Sequence, residues 1–129
     1  MLKQRFRLKS FRLFKQTLNG ETLGVTPFFA LMGLRHHPSF LAQQTDPNRL
    51  LPRFGFIVSK KVEKRATRRN RVKRWLREAV RTRLLPEQKD SLKQYRTIII
   101  IARPKSLAAG FHSLADTLVQ CFGRVVKSR

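Results

Sequence analysis

Residues 59–86 read SKKVEKRATRRNRVKRWLREAVRTRLLP, and this stretch holds the most informative pattern in the chain. From about residue 67 its apolar side chains recur at helical spacing, so the sequence predicts a helix over residues 67–85 that ends before a proline. One side of this helix is therefore expected to pack on the body of the protein. The apolar arc on that side comprises Val72, Trp75, Leu76, Ala79, Val80 and Leu84.

The opposite side of the predicted helix is strongly basic. Lys60 to Arg83 contains twelve Lys or Arg and only two acids, Glu63 and Glu78, so local ion pairs cannot neutralise it. Guanidinium groups bind phosphate oxygens bidentately, which favours contact with RNA or DNA over a merely solvated helix face. At 100° per residue the side chains opposite the apolar arc are Asn70, Arg74, Arg77 and Arg81, flanked by Arg69, Lys73 and Arg71.

The composition of the whole chain also indicates a polyanionic partner. Its 129 residues include 29 Lys and Arg against 7 Asp and Glu, which gives a formal net charge of +22 at pH 7. Nucleic acid is the favoured partner, an anionic membrane surface the second and an acidic protein the third. Because 41% of the residues are apolar and ten are Phe, a folded chain is expected rather than a disordered basic tail. At this length residues 1–129 are predicted to form a single RNA-binding domain.

The remaining segments predict an α+β fold. Ser10 is placed to cap a short helix carrying Phe11, Phe14 and Leu18, after a basic N-terminal segment over residues 1–9. We therefore expect a two-layer α/β sandwich in which helices pack on a small mixed sheet. The other predicted elements are strands at residues 28–34, 53–59 and 97–102, a surface loop over residues 35–52 and a last helix from about residue 111.

No catalytic or metal-binding cluster is evident in the sequence. Cys121 is the only cysteine, so neither an internal disulfide nor a Cys-based zinc site is expected, and a reducing compartment is favoured. The three histidines lack a suitably spaced cysteine or carboxylate, and the seven acids form no pair. The longest apolar run, residues 28–34, is too short to span a bilayer. A cytoplasmic protein without membrane attachment is therefore expected.

Several motifs resemble the bacterial ribonuclease P protein family. They are RLK at residues 7–9, SKKV at 59–62, RNRVKR at 69–74, LREA at 76–79 and IIIIAR at 98–103. The resemblance covers most of the chain except residues 35–52 and the extreme C-terminus. It implies a protein that joins a catalytic RNA to form the endoribonuclease that removes the 5′ leader of precursor tRNA. It also implies a left-handed βαβ crossover around the Arg-Asn-Arg helix.

The resemblance further implies two binding surfaces. The catalytic RNA is expected to face the Arg-Asn-Arg helix and the residues just before it, and we assign to this contact Lys60, Lys61, Arg68, Arg69, Asn70, Arg71, Lys73, Arg74 and Arg77. A cleft for the single-stranded leader is expected beside the first helix, and we assign to it Phe11, Phe14, Phe56 and Met32. From the residues alone, core packing is the default expectation for Phe11, Phe14, Phe54 and Phe56. Met32 stands where some relatives have a tyrosine.

In this interpretation the protein contributes no catalytic residue. The resemblance implies that the RNA subunit performs the hydrolysis, with Mg²⁺ ions held mainly by the RNA. Ribonuclease P RNA and precursor tRNA are the expected partners, and no obligate protein partner is inferred. A ribosomal or rRNA-associated protein remains an alternative, because it would share the size and charge. A membrane-surface protein is less favoured, since the apolar arc behind the basic residues suits packing on a sheet.

Overall fold

A mixed four-stranded sheet lies at the centre of the computed structural model, which describes residues 2–43, 46–61 and 63–127. Its strands are β1 (Glu21–Val25), β2 (Phe29–Arg35), β3 (Arg53–Ile57) and β4 (Tyr95–Ala102). Their order across the sheet is β1-β2-β4-β3. β2 runs antiparallel to both β1 and β4, whereas β3 and β4 are parallel.

Helices pack on both faces of this sheet. The main helices are α1 (Phe11–Leu18), α2 (Pro38–Gln43), α3 (Ala66–Ala79) and α4 (Ser106–Lys127), with short turns at Gln4–Phe6, Pro47–Leu50, Leu85–Glu87 and Lys89–Leu92. α3 connects the parallel strands β3 and β4, and together with α4 it covers the face that carries the main core. α1 lies on the other face, where the hydroxyl groups of Thr17 and Thr97 form a hydrogen bond.

The strand register decides which side chains share a face. Phe56 pairs with Ile100, and Ile100 pairs with Leu31, so all three point towards α3 and α4. The neighbouring row, Gly55, Ile99 and Met32, points to the face on which α1 lies. The predicted α+β fold with a small mixed sheet is therefore confirmed, and α1 adds partial cover to the second face.

The structure differs from the sequence-based prediction mainly before and after β2. The three predicted strands are present, but the prediction missed β1, whose sequence ETLGV contains an acid and a glycine. β1 forms because it pairs with the edge of β2. The prediction of a continuous loop over residues 35–52 was wrong, since β2 includes Arg35 and the connection between β2 and β3 contains α2 and a 3₁₀ turn.

The basic helix begins and packs close to the prediction. α3 starts at Ala66 and continues as a π-helical turn over Val80–Leu84. Five residues of the predicted arc are fully buried, namely Val72, Leu76, Ala79, Val80 and Leu84. Trp75 packs against this core but stays partly exposed, because it lies at the edge of the arc. The handedness of the β3–α3–β4 crossover remains a prediction.

The ends of α1 and α4 follow from local sequence. The backbone N–H of Leu13 donates to Oγ of Ser10 at 3.3 Å, which confirms the predicted helix cap. Within α4, Gly110 has a φ of +79°, so the regular helix begins at Phe111 as predicted. Among the described residues no helix has the length and apolar character needed to cross a membrane.

Candidate nucleic-acid interface

The outer side of α3 presents a row of polar and cationic side chains, here called the basic face, which comprises Asn70, Arg71, Arg74 and Arg77. Asn70, Arg71 and Arg74 are exposed, and Arg77 is half-buried. Burial of Val72 and Leu76 against the core fixes the rotation of the helix. The cations therefore face outwards, as the helical periodicity predicts.

The C-terminal arginines of this helix are engaged by carboxylates. Nη2 of Arg81 lies 2.7 Å from Oε2 of Glu78, and this hydrogen bond is the largest of the contributions that lower the pKa of Glu78 to about 2. Arg83 pairs with Glu87 at 2.6 Å and with Asp116 at 2.8 Å. Arg81 was predicted to extend the cationic row, but its charge is balanced locally. The basic face is therefore strongest between Asn70 and Arg77.

Arg69 supports the start of α3. Its Nη1 donates to the backbone carbonyls of Glu63 and Lys64 at 3.0 and 2.7 Å. Nearby, Nη1 of Arg68 lies 3.9 Å from Oε2 of Glu63. Arg69 was assigned to RNA contact from the sequence, and the structure gives it a positioning role for the segment before α3. One side of its guanidinium is occupied by the backbone.

Arg7 meets the basic face from the N-terminal segment. The backbone N–H of Leu8 donates to the carbonyl of Phe54 at 2.8 Å, so this segment lies alongside the free edge of β3. Burial, and then the positive charge of Arg7, lower the pKa of Arg77. A shallow depression of about 300 Å³ lies there, lined by Arg7, Asn70, Arg74, Arg77 and Glu78.

A second concavity adjoins this depression at the edge of β3, and we call it the β3-edge cleft. Its volume is about 200 Å³, and its lining residues are Arg7, Leu8, Lys9, Phe14, Phe54, Gly55, Phe56 and Arg77. The guanidinium of Arg77 lies 5.9 Å from the ring centroid of Phe56. Gly55 allows Phe14 to approach the strand, since a Cβ there would lie 2.7 Å from Cε2 of Phe14. Arg7 and Arg77 border both concavities, so the cationic groups of the depression adjoin the aromatic groups of the β3-edge cleft.

The structure brings together only part of the predicted leader cleft. Phe14 and Phe56 both line the β3-edge cleft. Phe11 is 76% exposed on α1, so core packing was the wrong default for it, whereas Phe54 is fully buried. Met32 lies on β2, two strands away from β3, and its Sδ accepts a hydrogen bond from Thr22 at 3.5 Å. Sequence spacing could not reveal this separation, because it depends on the strand order.

Three lysines assigned from the sequence lie outside the two concavities. Lys60 and Lys61 are exposed in the turn that follows β3, and Lys73 is half-buried on the flank of α3. The sequence assignment missed Arg7 and Lys9, which line the β3-edge cleft. The signal was the basic RLK motif, whose position next to α3 becomes evident only through pairing with β3.

The described part of the chain contains no group of three or more His, Cys, Asp or Glu side chains arranged to hold a metal ion. The chemistry that this surface offers is the binding of phosphate groups and aromatic bases.

Comparisons with known proteins agree on one family. The sequence profile of the family "Ribonuclease P" matches residues 2–126. The ribonuclease P protein component of Corynebacterium jeikeium is 34% identical over 130 residues, covering 98% of each chain. The component from Dehalococcoides mccartyi is 52% identical over 64 residues, which are 49% of this chain and 47% of the relative.

Solved structures show the same fold. The ribonuclease P protein of Thermotoga maritima superposes with a TM-score of 0.65 at 24% identity, covering 92% of this chain and 96% of that one. A mutant of the Staphylococcus aureus protein gives a TM-score of 0.68 at 20% identity, with coverage of 94% and 88%.

Proposed function

The chain belongs to the ribonuclease P protein family, and on that premise we propose that it is the protein component of the RNA-based endoribonuclease that removes the 5′ leader of precursor tRNA. The observation that carries the proposal is the family match over residues 2–126, which includes the Arg-Asn-Arg segment of α3. We place this activity in the cytoplasm, where bacterial transcription supplies precursor tRNA.

In this proposal the basic face binds the catalytic RNA. Arg74 and Arg71 are exposed and available for bidentate contacts with phosphate oxygens. Asn70 can both donate and accept hydrogen bonds, so it suits a base edge or a 2′-hydroxyl. The net charge of +22 reduces the repulsion between two polyanions, the catalytic RNA and the precursor tRNA.

The β3-edge cleft receives the single-stranded leader. Phe14 and Phe56 offer aromatic surface for unstacked bases, while Arg7, Lys9 and Arg77 offer positive charge for the backbone. Mature tRNA has no leader, so a leader contact favours the substrate over the product. The protein thereby contributes discrimination without taking part in bond cleavage.

The hydrolytic step itself is assigned to the RNA subunit. Mg²⁺ bound by that RNA supplies the activation of water for phosphodiester hydrolysis. In this proposal the protein itself acts by binding and positioning its RNA partners.

The proposal is tested by reconstitution with a bacterial ribonuclease P RNA. At limiting Mg²⁺, the purified protein should increase accurate 5′ maturation of a precursor tRNA. A variant with both Arg74→Gln and Arg77→Gln should stimulate less, and Arg81→Gln serves as the control of similar chemistry, because Arg81 is paired with Glu78. Absence of stimulation by the unaltered protein would contradict the proposal and favour another RNA-binding role.

A further inference from the structure

A basic cavity lies apart from both concavities described above. Its volume is about 470 Å³, within the range of small-ligand sites. It opens between α1, the start of β3 and the connection from β2 to β3, the segment outside the family motifs. Leu13, Leu51 and Thr97 contribute part of its wall. Because Leu13 faces this cavity whereas Phe14 faces the β3-edge cleft, α1 separates the two.

Three arginines converge on the cavity from different parts of the chain. Arg53 begins β3, Arg96 lies on the adjacent strand β4, and Arg49 belongs to the connection before β3. All three are exposed, and none of them takes part in an ion pair recorded for the described residues. The lining residues include no carboxylate. This arrangement suits an anion, because three guanidinium groups line one cavity whose lining includes no carboxylate.

An aromatic surface stands beside these cations. The rings of His36 and Phe40 stack with centroids 5.0 Å apart and planes inclined by 21°. Nε2 of His36 donates to the carbonyl of Leu50 at 2.7 Å, which fixes the stack against the connection. At the start of α2, Nδ1 of His37 accepts from the backbone N–H of Ser39 at 3.2 Å. Phe40 is 36% exposed and lines the cavity, so part of its ring is available to a ligand.

We propose that this cavity binds one unpaired nucleotide of an RNA partner, with the phosphate on Arg49, Arg53 and Arg96 and the base on Phe40. A nucleotide carries both a phosphate and a planar base, and the cavity offers a partner for each. An acidic peptide would match the arginines alone. The inference rests on the proposed function only for the identity of the RNA, and it adds a site on the opposite side of α1 from the β3-edge cleft.

The test follows two surfaces of the protein in one titration. The ¹⁵N-labelled full chain is titrated with a five-nucleotide single-stranded RNA, and amide signals are followed by NMR at Leu51 and Arg53 for the cavity and at Asn70 for the basic face. The variants are Arg96→Gln and Phe40→Leu. Arg124→Gln, an exposed arginine on α4, is the matched control for the loss of one charge. Neither test variant should unfold the protein, since Arg96 is exposed and α2 has no buried residue.

The expected result is a selective loss at the cavity. The RNA concentration at which the amide signals of Leu51 and Arg53 have shifted halfway should rise about threefold or more in Arg96→Gln and about fivefold or more in Phe40→Leu. The corresponding concentration for Asn70 should change little. Equal effects of Arg96→Gln and Arg124→Gln would overturn the site, because general charge would then explain the binding. An unchanged midpoint in Phe40→Leu would overturn the nucleotide assignment in favour of a simple anion site. The assay contains no catalytic RNA, so its outcome is independent of the reconstitution test.

Discussion

Neighbouring arginines on α3 differ in what surrounds them. Arg74 is exposed beside Asn70 and Arg77, whereas Arg81 donates to Glu78 at 2.7 Å. A guanidinium already paired with a carboxylate has less to gain from a phosphate, because the new contact must replace the old one. The number of arginines in the sequence therefore overstates the number that are ready to bind RNA.

This difference predicts unequal effects of equal charge changes. Arg74→Gln should weaken binding to the catalytic RNA and reduce the slope of log affinity against log salt concentration by about one. Arg81→Gln should change the slope by less, since Arg81 is already paired with Glu78 and is less available to a phosphate. Filter binding over a series of salt concentrations measures both slopes. Equal slopes for the two variants would show that local pairing does not decide which arginines bind.

Arg69 is expected to affect stability as well as binding. Replacing it with Gln removes two hydrogen bonds to the carbonyls of Glu63 and Lys64, which should lower the free energy of unfolding by about 1–2 kcal/mol. Arg71→Gln removes the same charge from an exposed position and should leave stability nearly unchanged. Denaturant unfolding measures the stability of both variants, and equal stabilities would contradict the positioning role of Arg69.

At the level of elements, the contact between α1 and β3 shapes the β3-edge cleft. Phe14 packs over Gly55, where a Cβ would lie 2.7 Å from Cε2 of the ring. Gly55→Ala should therefore push α1 away and lower the free energy of unfolding by about 1–3 kcal/mol.

A control for this substitution lies in α4. Gly123→Ala adds the same methyl group next to a flexible Gln88 side chain at 3.4 Å, so it should be neutral or stabilising. Thermal unfolding of the two variants gives the comparison. A Gly55→Ala protein as stable as Gly123→Ala would mean that α1 is not held closely on the strand.

Some helices and strands could be predicted from the sequence, and others could not. α3 was predictable because its buried residues, such as Val72 and Leu76, repeat at helical spacing, and β4 because its isoleucines form a continuous apolar run. β1 carries little signal of its own and is stabilised by its pairing with β2. The position of Arg7 beside Arg77 was beyond sequence reasoning, because it depends on a bridge between residues distant in the chain.

For the molecule as a whole, charge opposes folding. With 29 basic and 7 acidic side chains, folding brings like charges closer together than in the unfolded chain. Raising NaCl from about 0.05 M to about 0.5 M should increase the melting temperature of the protein, since the Debye length falls severalfold. Scanning calorimetry measures this dependence, and a melting temperature that fell steadily with salt would contradict it.

The whole molecule is proposed to divide its surfaces between two RNAs, the basic face for the catalytic RNA and the β3-edge cleft for the leader. The most direct measurement is the affinity for precursor tRNA and for mature tRNA of three samples. These are the catalytic RNA alone, the catalytic RNA with the unaltered protein, and the catalytic RNA with the Phe14→Leu protein. The protein should strengthen binding of the precursor only, and Phe14→Leu should remove part of that gain, because aromatic stacking of a base contributes about 1–3 kcal/mol. An equal gain for mature tRNA, or a Phe14→Leu variant that weakens both substrates alike, would contradict the assignment of the cleft to the leader.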